Sequence, residues 1–278
     1  HPSGVASNGT NFLLCDRFNN RVLIWNVAPT SWDAPPDIVI GQPDFNANNP
    51  GMNKNEMNWP GNASVGNNGK LAVADTDNDR LLLWNTFPTA NGQSADLQIH
   101  LPTITPVGSA NTWSWPWGVW TDGNKLVCTA TNGAAILFWN SFPTTDNQAP
   151  DYTIENTAFG TPRNISTDGS TYFFVGDHNS GLTNGSATYF WNSYPSVANQ
   201  SYDFYRSEGL KGQKLANGNL ICSDFTSKIM TWSGMPTSGT DNPVKTANPA
   251  CFHTSDGMDL IEINGNIYVN NYNGNDVL

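Results

Sequence analysis

Basic side chains are scarce: twelve Lys and Arg stand against twenty-three Asp and Glu, a net charge of −11, and charged residues of both signs fill only 13% of the 278 positions. A phosphate backbone would be repelled over most of such a surface, which argues against nucleic acid as a partner. Apolar runs are short as well. None approaches the ~18 to 20 residues that cross a bilayer, so no membrane span is expected. No segment carries a convincing helical period, which points away from helical folds. A signal sequence is also missing: His1 falls inside a repeat, so targeting information is expected to lie outside these residues.

The four cysteines, Cys15, Cys128, Cys222 and Cys251, fit no zinc spacing. The first three fall in matching strands of different repeats, and buried free thiols are the expectation, with a Cys222–Cys251 bridge inside one repeat as the alternative.

What is abundant is aromatic and uncharged polar. Aromatics make up 12% and hydrophobics 38% of the chain, enough for a core, while Asn, Gly, Ser and Thr fill the surface positions. The tryptophans recur in a frame: WNVAP at Trp25, WNTFP at Trp84, WNSFP at Trp139, WNSYP at Trp191 and WSGMP at Trp232. Twelve residues after the first four stand Asp37, Asp96, Asp151 and Asp203. Before each Trp lies another strand, closed by Asp16, Asp75, Asp177 and Asp224 in four copies, with Ala130 taking that place in the third. Further upstream each of the first four copies opens with a Pro motif, PSGV at Pro2, PGNA at Pro60, PWGV at Pro116 and PRNI at Pro162. Each unit thus holds four short strands separated by Gly, Asn, Asp and Pro clusters, which is the make-up of a propeller blade.

The expected fold is therefore all-β, one six-bladed propeller domain over 1–278, with blades near 1–45, 46–104, 105–159, 160–206, 207–252 and 253–278. The last is expected to be incomplete: MDLIEI, NIYVNN and DVL supply three strands, with Asn271 at the place of the turn Asp. Two explanations fit, a sequence trimmed from a longer polypeptide or a strand lent by a second chain, the latter implying self-association through the open edge.

The segments DRFNNRVLIWN from Asp16 and DTDNDRLLLWN from Asp75, with GQPDF from Gly41 to Phe45, resemble the NHL-repeat family, and in particular its secreted or surface microbial members with a WN-x-x-P motif. The resemblance implies a propeller that works outside the cell or at its surface. Family members include interaction platforms, sensor ectodomains, RNA-binding regulators and peptidyl-amidating lyases, so the site has to decide the function.

Recurrence separates structure from function. Trp25, Trp84, Trp139, Trp191 and Trp232 are expected to pack between neighbouring sheets, and Asp16, Asp75, Asp177 and Asp224 to accept backbone N–H bonds in the turns that follow, with Arg21 and Arg80 as partners. A calcium ion shared by those carboxylates is the alternative. His178 and His253, placed on loops of one face, are the candidates for a shared zinc, against solvent-facing loop histidines. His1 would suggest a copper site at a mature N-terminus, but the repeat register places it just before PSGV. The expectation is no cofactor.

Departures from the repeat are where a site is expected, because the sheets do not require them. Three stand out: Gln42 to Pro60, Leu101 to Trp120, and the turn after His178. Their face would carry Met52, Met57, Trp59, Trp113, Trp115 and Trp117 among Asn and Ser, aromatic faces and amides that suit sugar rings or a protein partner, unless the rings only plug the fold. The leading function is a non-catalytic binding module for glycan or protein. A metal-dependent lyase or hydrolase with an axial site, and a structural subunit of a layer or filament, are the alternatives. Among the N-glycosylation sequons, Asn8, Asn184 and Asn199 lie on expected turns, whereas Asn62 and Asn164 lie in expected inner strands.

Overall fold

A computed structural model describes the chain except residues 32, 104–112, 184, 227, 249–258, 273–275 and 278. Cys251, His253 and Asn184 lie outside the described residues.

Each repeat folds into a four-stranded antiparallel meander because short β-branched and aromatic runs alternate with turn residues. The first blade is β1 (Pro2–Ser7), β2 (Phe12–Asp16), β3 (Arg21–Trp25) and β4 (Ile38–Ile40). The second is β5 (Pro60–Val65), β6 (Leu71–Asp75), β7 (Arg80–Trp84) and β8 (Leu97–His100). The third is β9 (Pro116–Thr121), β10 (Leu126–Ala130), β11 (Ala135–Trp139) and β12 (Tyr152–Glu155). The fourth is β13 (Pro162–Thr167), β14 (Phe173–Ser180), β15 (Gly185–Trp191) and β16 (Phe204–Arg206). The fifth is β17 (Leu210–Lys214), β18 (Leu220–Asp224), β19 (Ile229–Trp232) and β20 (Lys245–Ala247). Five four-stranded blades are therefore present, where six were expected with the last incomplete. A three-stranded sheet, β21 (Leu260–Ile263), β22 (Asn266–Asn271) and β23 (Asp276–Val277), follows them.

The inner strands neighbour one another in sequence, β1 to β5, β9, β13, β17 and β21, and β21 returns to β1. Proline opens four of them, at the one strand position where its missing N–H costs no ladder bond.

Strand periodicity explains the packing. On β7, Leu82 and Trp84 point into the core shared with the first blade, while Leu81 and Leu83 point into the core shared with the third. Trp84, Trp139, Trp191 and Trp232 each lie against the preceding blade, at 0%, 0%, 1% and 3% exposure. Trp25, half-buried, packs edge-on against Phe12 in a cluster that also takes Ile261 and Tyr268 of the three-stranded sheet. Every one of these indoles donates its N–H to a carbonyl nine residues on: Ala34, Gln93, Gln148, Gln200 and Asp241. The aspartates twelve residues after the first four tryptophans accept the N–H that follows the Trp, at 2.6–2.8 Å.

Cys15, Cys128 and Cys222 are buried and free, with thiols pushed up by burial, which leaves them unreactive.

The loops after Trp84, Trp139 and Trp191 also cover the outer edge of the blade before each of them. Gly92 N–H donates to Val39 O, and Asn91 Oδ1 accepts Val39 N–H. Asn147 N–H donates to Gln98 O, and its Oδ1 accepts His100 N–H. Asn199 N–H donates to Thr153 O, and its Oδ1 accepts Glu155 N–H at 2.9 Å. Gly92, Asn147 and Asn199 all have positive φ, at 63°, 56° and 52°, the conformation that Gly and Asn adopt most readily. Each loop thus occupies an edge that would otherwise recruit another strand. Asn199→Gly keeps the turn and removes the side-chain acceptor, and is expected to lower stability by about 0.5–1.5 kcal/mol in urea unfolding. No change would mean that water replaces the bond without cost.

The sheet over β21–β23 joins both neighbours through Asp259, a carboxylate buried near the axis. Its oxygens accept Val5 N–H at 3.2 Å, Asn62 Nδ2 at 2.9 Å and Leu260 N–H at 2.9 Å, with Lys211 Nζ at 3.6 Å. Asn62 belongs to the second blade and passes over Gly4 of the first, where a Cβ would lie 2.8 Å from Asn62 Cγ. Asn270 donates to Pro2 O and accepts Asp259 N–H.

Candidate functional site

At the end of the propeller where inner strands begin and second strands finish, the long connection over 41–59 and the described ends of a second, 101–103 and 113–115, meet the turns at 17–20 and 76–79. Each of those turns is a short 3-10 segment, Arg17–Asn19 or Thr76–Asn78, closed by a left-handed residue, Asn20 at φ 55° or Asp79 at φ 56°.

Of the recurrent aspartates, Asp177 and Asp224 accept backbone N–H groups of the turn that follows, as expected, whereas Asp16 and Asp75 take side-chain donors from it instead. Asp16 accepts Asn19 Nδ2 and Arg21 Nε. Asp75 accepts Asn58 N–H from the incoming connection, Asn78 Nδ2 and Arg80 Nε. Asp177 likewise takes Gly160 and Thr161 N–H from the incoming connection, Asn179 N–H and the Tyr189 hydroxyl. Asp224 takes the N–H groups of Thr226 and Lys228 and the Thr226 hydroxyl.

Arg80 fixes the first long connection. Beyond Asp75, its guanidinium donates to the carbonyls of Met52, Asn53 and Glu56 and to Gln98 Oε1. Arg21 repeats the theme on Phe45 O, and Gln42 Nε2 spans Asn20 O and Asn49 O. A loop held by so many charge-assisted bonds presents its exposed side chains on a firm base.

Trp59 and Trp115 sit in equivalent places. Both precede a proline and both have positive φ, 52° and 51°, a strained conformation for a bulky residue. The same device holds each: Trp59 N–H donates to Asn20 Oδ1 at 2.9 Å and Trp115 N–H to Asp79 Oδ1 at 2.7 Å. Burial raises the Asp79 carboxyl, against the pull of the Trp115 and Ser114 N–H groups.

Between these tryptophans lies Arg17. It is 3% exposed, and its guanidinium carbon lies 4.4 Å from the ring of Trp117, 5.0 Å from Trp59 and 5.4 Å from Trp115. Arg163 stands 4.8 Å from the same Trp117 ring. Outside this cluster Phe18 packs on Trp59 at 4.9 Å and on His1 at 4.6 Å, and His1 on Tyr272 at 5.5 Å. The result is a continuous aromatic area with a buried cation beneath it.

The expected surface residues divide. Met52 and Trp113 are well exposed, Trp59 is exposed on one side, and Trp115 is half-buried with its indole N–H on Asp77 Oδ1. Trp117 is buried in the cation cluster. Met57 is not on the surface at all: it is fully buried, because the connection folds back and lays it against Gly41 in the core between the first two blades.

His178 lies within β14 rather than on a loop, since the hairpin of the fourth blade continues past Asp177 through a bulge to the Ser180–Gly185 pair. Its ring meets Phe225 edge-on. Among the described residues no three His, Cys, Asp or Glu side chains gather as metal ligands.

At the opposite end of the axis the inner strands enclose a cavity of about 410 Å³, with Val5, Ala63, Val119, Ile165, Lys211 and Leu260 each contributing from a different strand. Of the glycosylation candidates, Asn8 closes its own turn by accepting Thr10 and Asn11 N–H, and Asn199 is exposed but engaged on the third blade's edge.

Sequence reasoning missed Arg17, Phe18, Asn20 and Asp79. A signal existed for the first: Arg17 stands where the neighbouring repeat has Thr76, a departure inside the most regular motif of the chain.

No protein-family model and no curated protein matches the chain.

Proposed function

We propose that this chain is a non-catalytic recognition module that works outside the cell, an NHL-type propeller whose three-stranded sheet stands as the sixth blade, and that it binds glycan through the face built by the long connections. One observation carries the reading. Phe18, Phe45, Met52, Trp59 and Trp113, at 40%, 38%, 62%, 39% and 59% exposure, all belong to the turn and connections of that face in the first three blades. No sheet needs them there, and a surface holding so many large apolar groups is a site for a ligand rather than for water. Asn19, Asn53 and Asn58 belong to the same turn and connection, the first two with their Nδ2 groups on Asp16 and Glu56, and flat rings beside amides suit sugars, whose CH faces stack while their hydroxyls take hydrogen bonds.

The compartment is supported by the sequons at Asn8 and Asn199, which fall on turns.

On a glycan array, Trp59→Ala and Trp113→Ala are each expected to weaken binding by ~10-fold or more. Unchanged binding in both variants would remove this face from the reading, and capture of a protein with no glycan bound would replace glycan by a protein partner.

A further inference from the structure

We infer that the ligand of this face is acidic, a glycan bearing a carboxylate that Arg17 receives between Trp59, Trp115 and Trp117. This deepens, and rests on, the proposed glycan-binding face.

The argument begins with the cost of Arg17. A guanidinium taken out of water is normally repaid by a carboxylate or by several carbonyls. Among the described residues Arg17 has neither: its Nε is buried with no hydrogen-bond partner, and the guanidinium makes no ion pair. The nearby carboxylates are committed elsewhere, Asp16 to Arg21 and Asn19, and Asp77 to the Trp115 indole N–H at 2.8 Å. Burial disfavours the charged form of Arg17, Tyr272 and Asp77 favour it, and the like charge of Arg163, the other guanidinium on the Trp117 ring, works against it. Tryptophan faces return part of the lost hydration through cation–π attraction, but they supply no hydrogen-bond acceptor.

In a chain of net charge −11, a buried arginine held by aromatic rings and lacking an acceptor among the described residues is an arrangement that an anion would complete. The planar fork of donors matches a carboxylate in two-point contact. Immediately outside stand the exposed rings of Phe18 and Trp59, packed on each other, which can carry the body of the same ligand. A hexuronate supplies both parts, an apolar ring face and a carboxylate next to it.

The test uses the whole chain and two probes in isothermal titration: an oligosaccharide of hexuronate units, and the same oligosaccharide with its carboxyls reduced to alcohols. The unaltered protein is expected to bind the acidic probe ~10-fold or more tightly than the reduced one. Arg17→Met should abolish that preference while leaving affinity for the reduced probe in place. Arg17→Lys, which keeps the charge and loses the fork, should retain only part of it. Trp59→Ala should weaken both probes alike. Equal affinity of the unaltered protein for the two probes overturns the inference and leaves the binding face standing. A preference that survives in both Arg17 variants overturns the assignment to Arg17. Failure to bind either probe or any glycan of the array, including a result in which only peptides with free carboxylates bind, overturns both readings.

Discussion

Arg80→Ala is expected to lower the unfolding free energy by about 3–5 kcal/mol, measured by urea denaturation. The pair it breaks is dry: Arg80 and Asp75 side chains are 1% and 0% exposed and 2.7 Å apart. Removing the cation strands a carboxylate where water cannot reach it, and frees the carbonyls of Met52, Asn53 and Glu56 that anchor the first long connection. The loss should depend on pH. Burial already pushes the Asp75 carboxyl up to about 6, against the opposing pull of Arg80 and the amide donors. A folded-state value above the ordinary one means that this group's contribution is complete below the ordinary carboxylate range and is lost as pH rises through about 6. Without Arg80 the value climbs further, so the difference between variant and unaltered protein should be larger at about pH 8 than at about pH 5. A pH-independent loss, or one under ~1 kcal/mol, would show that the connection is held by its other contacts.

Trp139→Ala should cost a similar amount, about 3–5 kcal/mol. Its indole is fully buried against Leu81, Leu83 and Ile99 of the preceding blade, and truncation leaves a void between two rigid sheets that cannot close without moving one of them. Trp25→Ala is the internal comparison. Trp25 makes the same indole N–H bond to a carbonyl nine residues on, but it is only half-buried. If wedging between blades is what these rings supply, Trp25→Ala should cost clearly less than Trp139→Ala. Equal losses would assign the effect to the hydrogen bond instead.

The parts of this architecture that repeat were legible from the residues alone. Trp84 and Asp96, or Trp139 and Asp151, keep their spacing because each pair closes one turn of one blade, and a constraint met several times leaves a periodic trace. The single events left none. Met57 sits in a polar connection, and only the path of the backbone turns it inward to the core. His178 followed an Asp that elsewhere ends its strand, and the bulge that lets β14 run on depends on pairing with residues beyond the turn. Asp259 looks like any acid beside an apolar run until it is seen to gather donors from β1, β5 and β21, with Lys211 of β17 close by. Arg17 was within reach, as a cation breaking an otherwise shared motif, but its lack of an acceptor among the described residues is a matter of three-dimensional arrangement. Trp59 and Trp113 were legible because insertions escape the repeat. Trp117 belongs to the strand that follows the insertion, and so went to the interior.

From the second blade to the fourth the coverings described above point the same way, tryptophan and loop lying on the blade made before, as roof tiles overlap. During synthesis, which runs from the amino end, every blade covered in this way would keep one bare flank and one bare edge until its successor left the ribosome and shingled over it. The wall of the ring would thus be laid course by course, and the contacts of Asp259 with Val5 and Asn62, the first partners made, would be among the last formed.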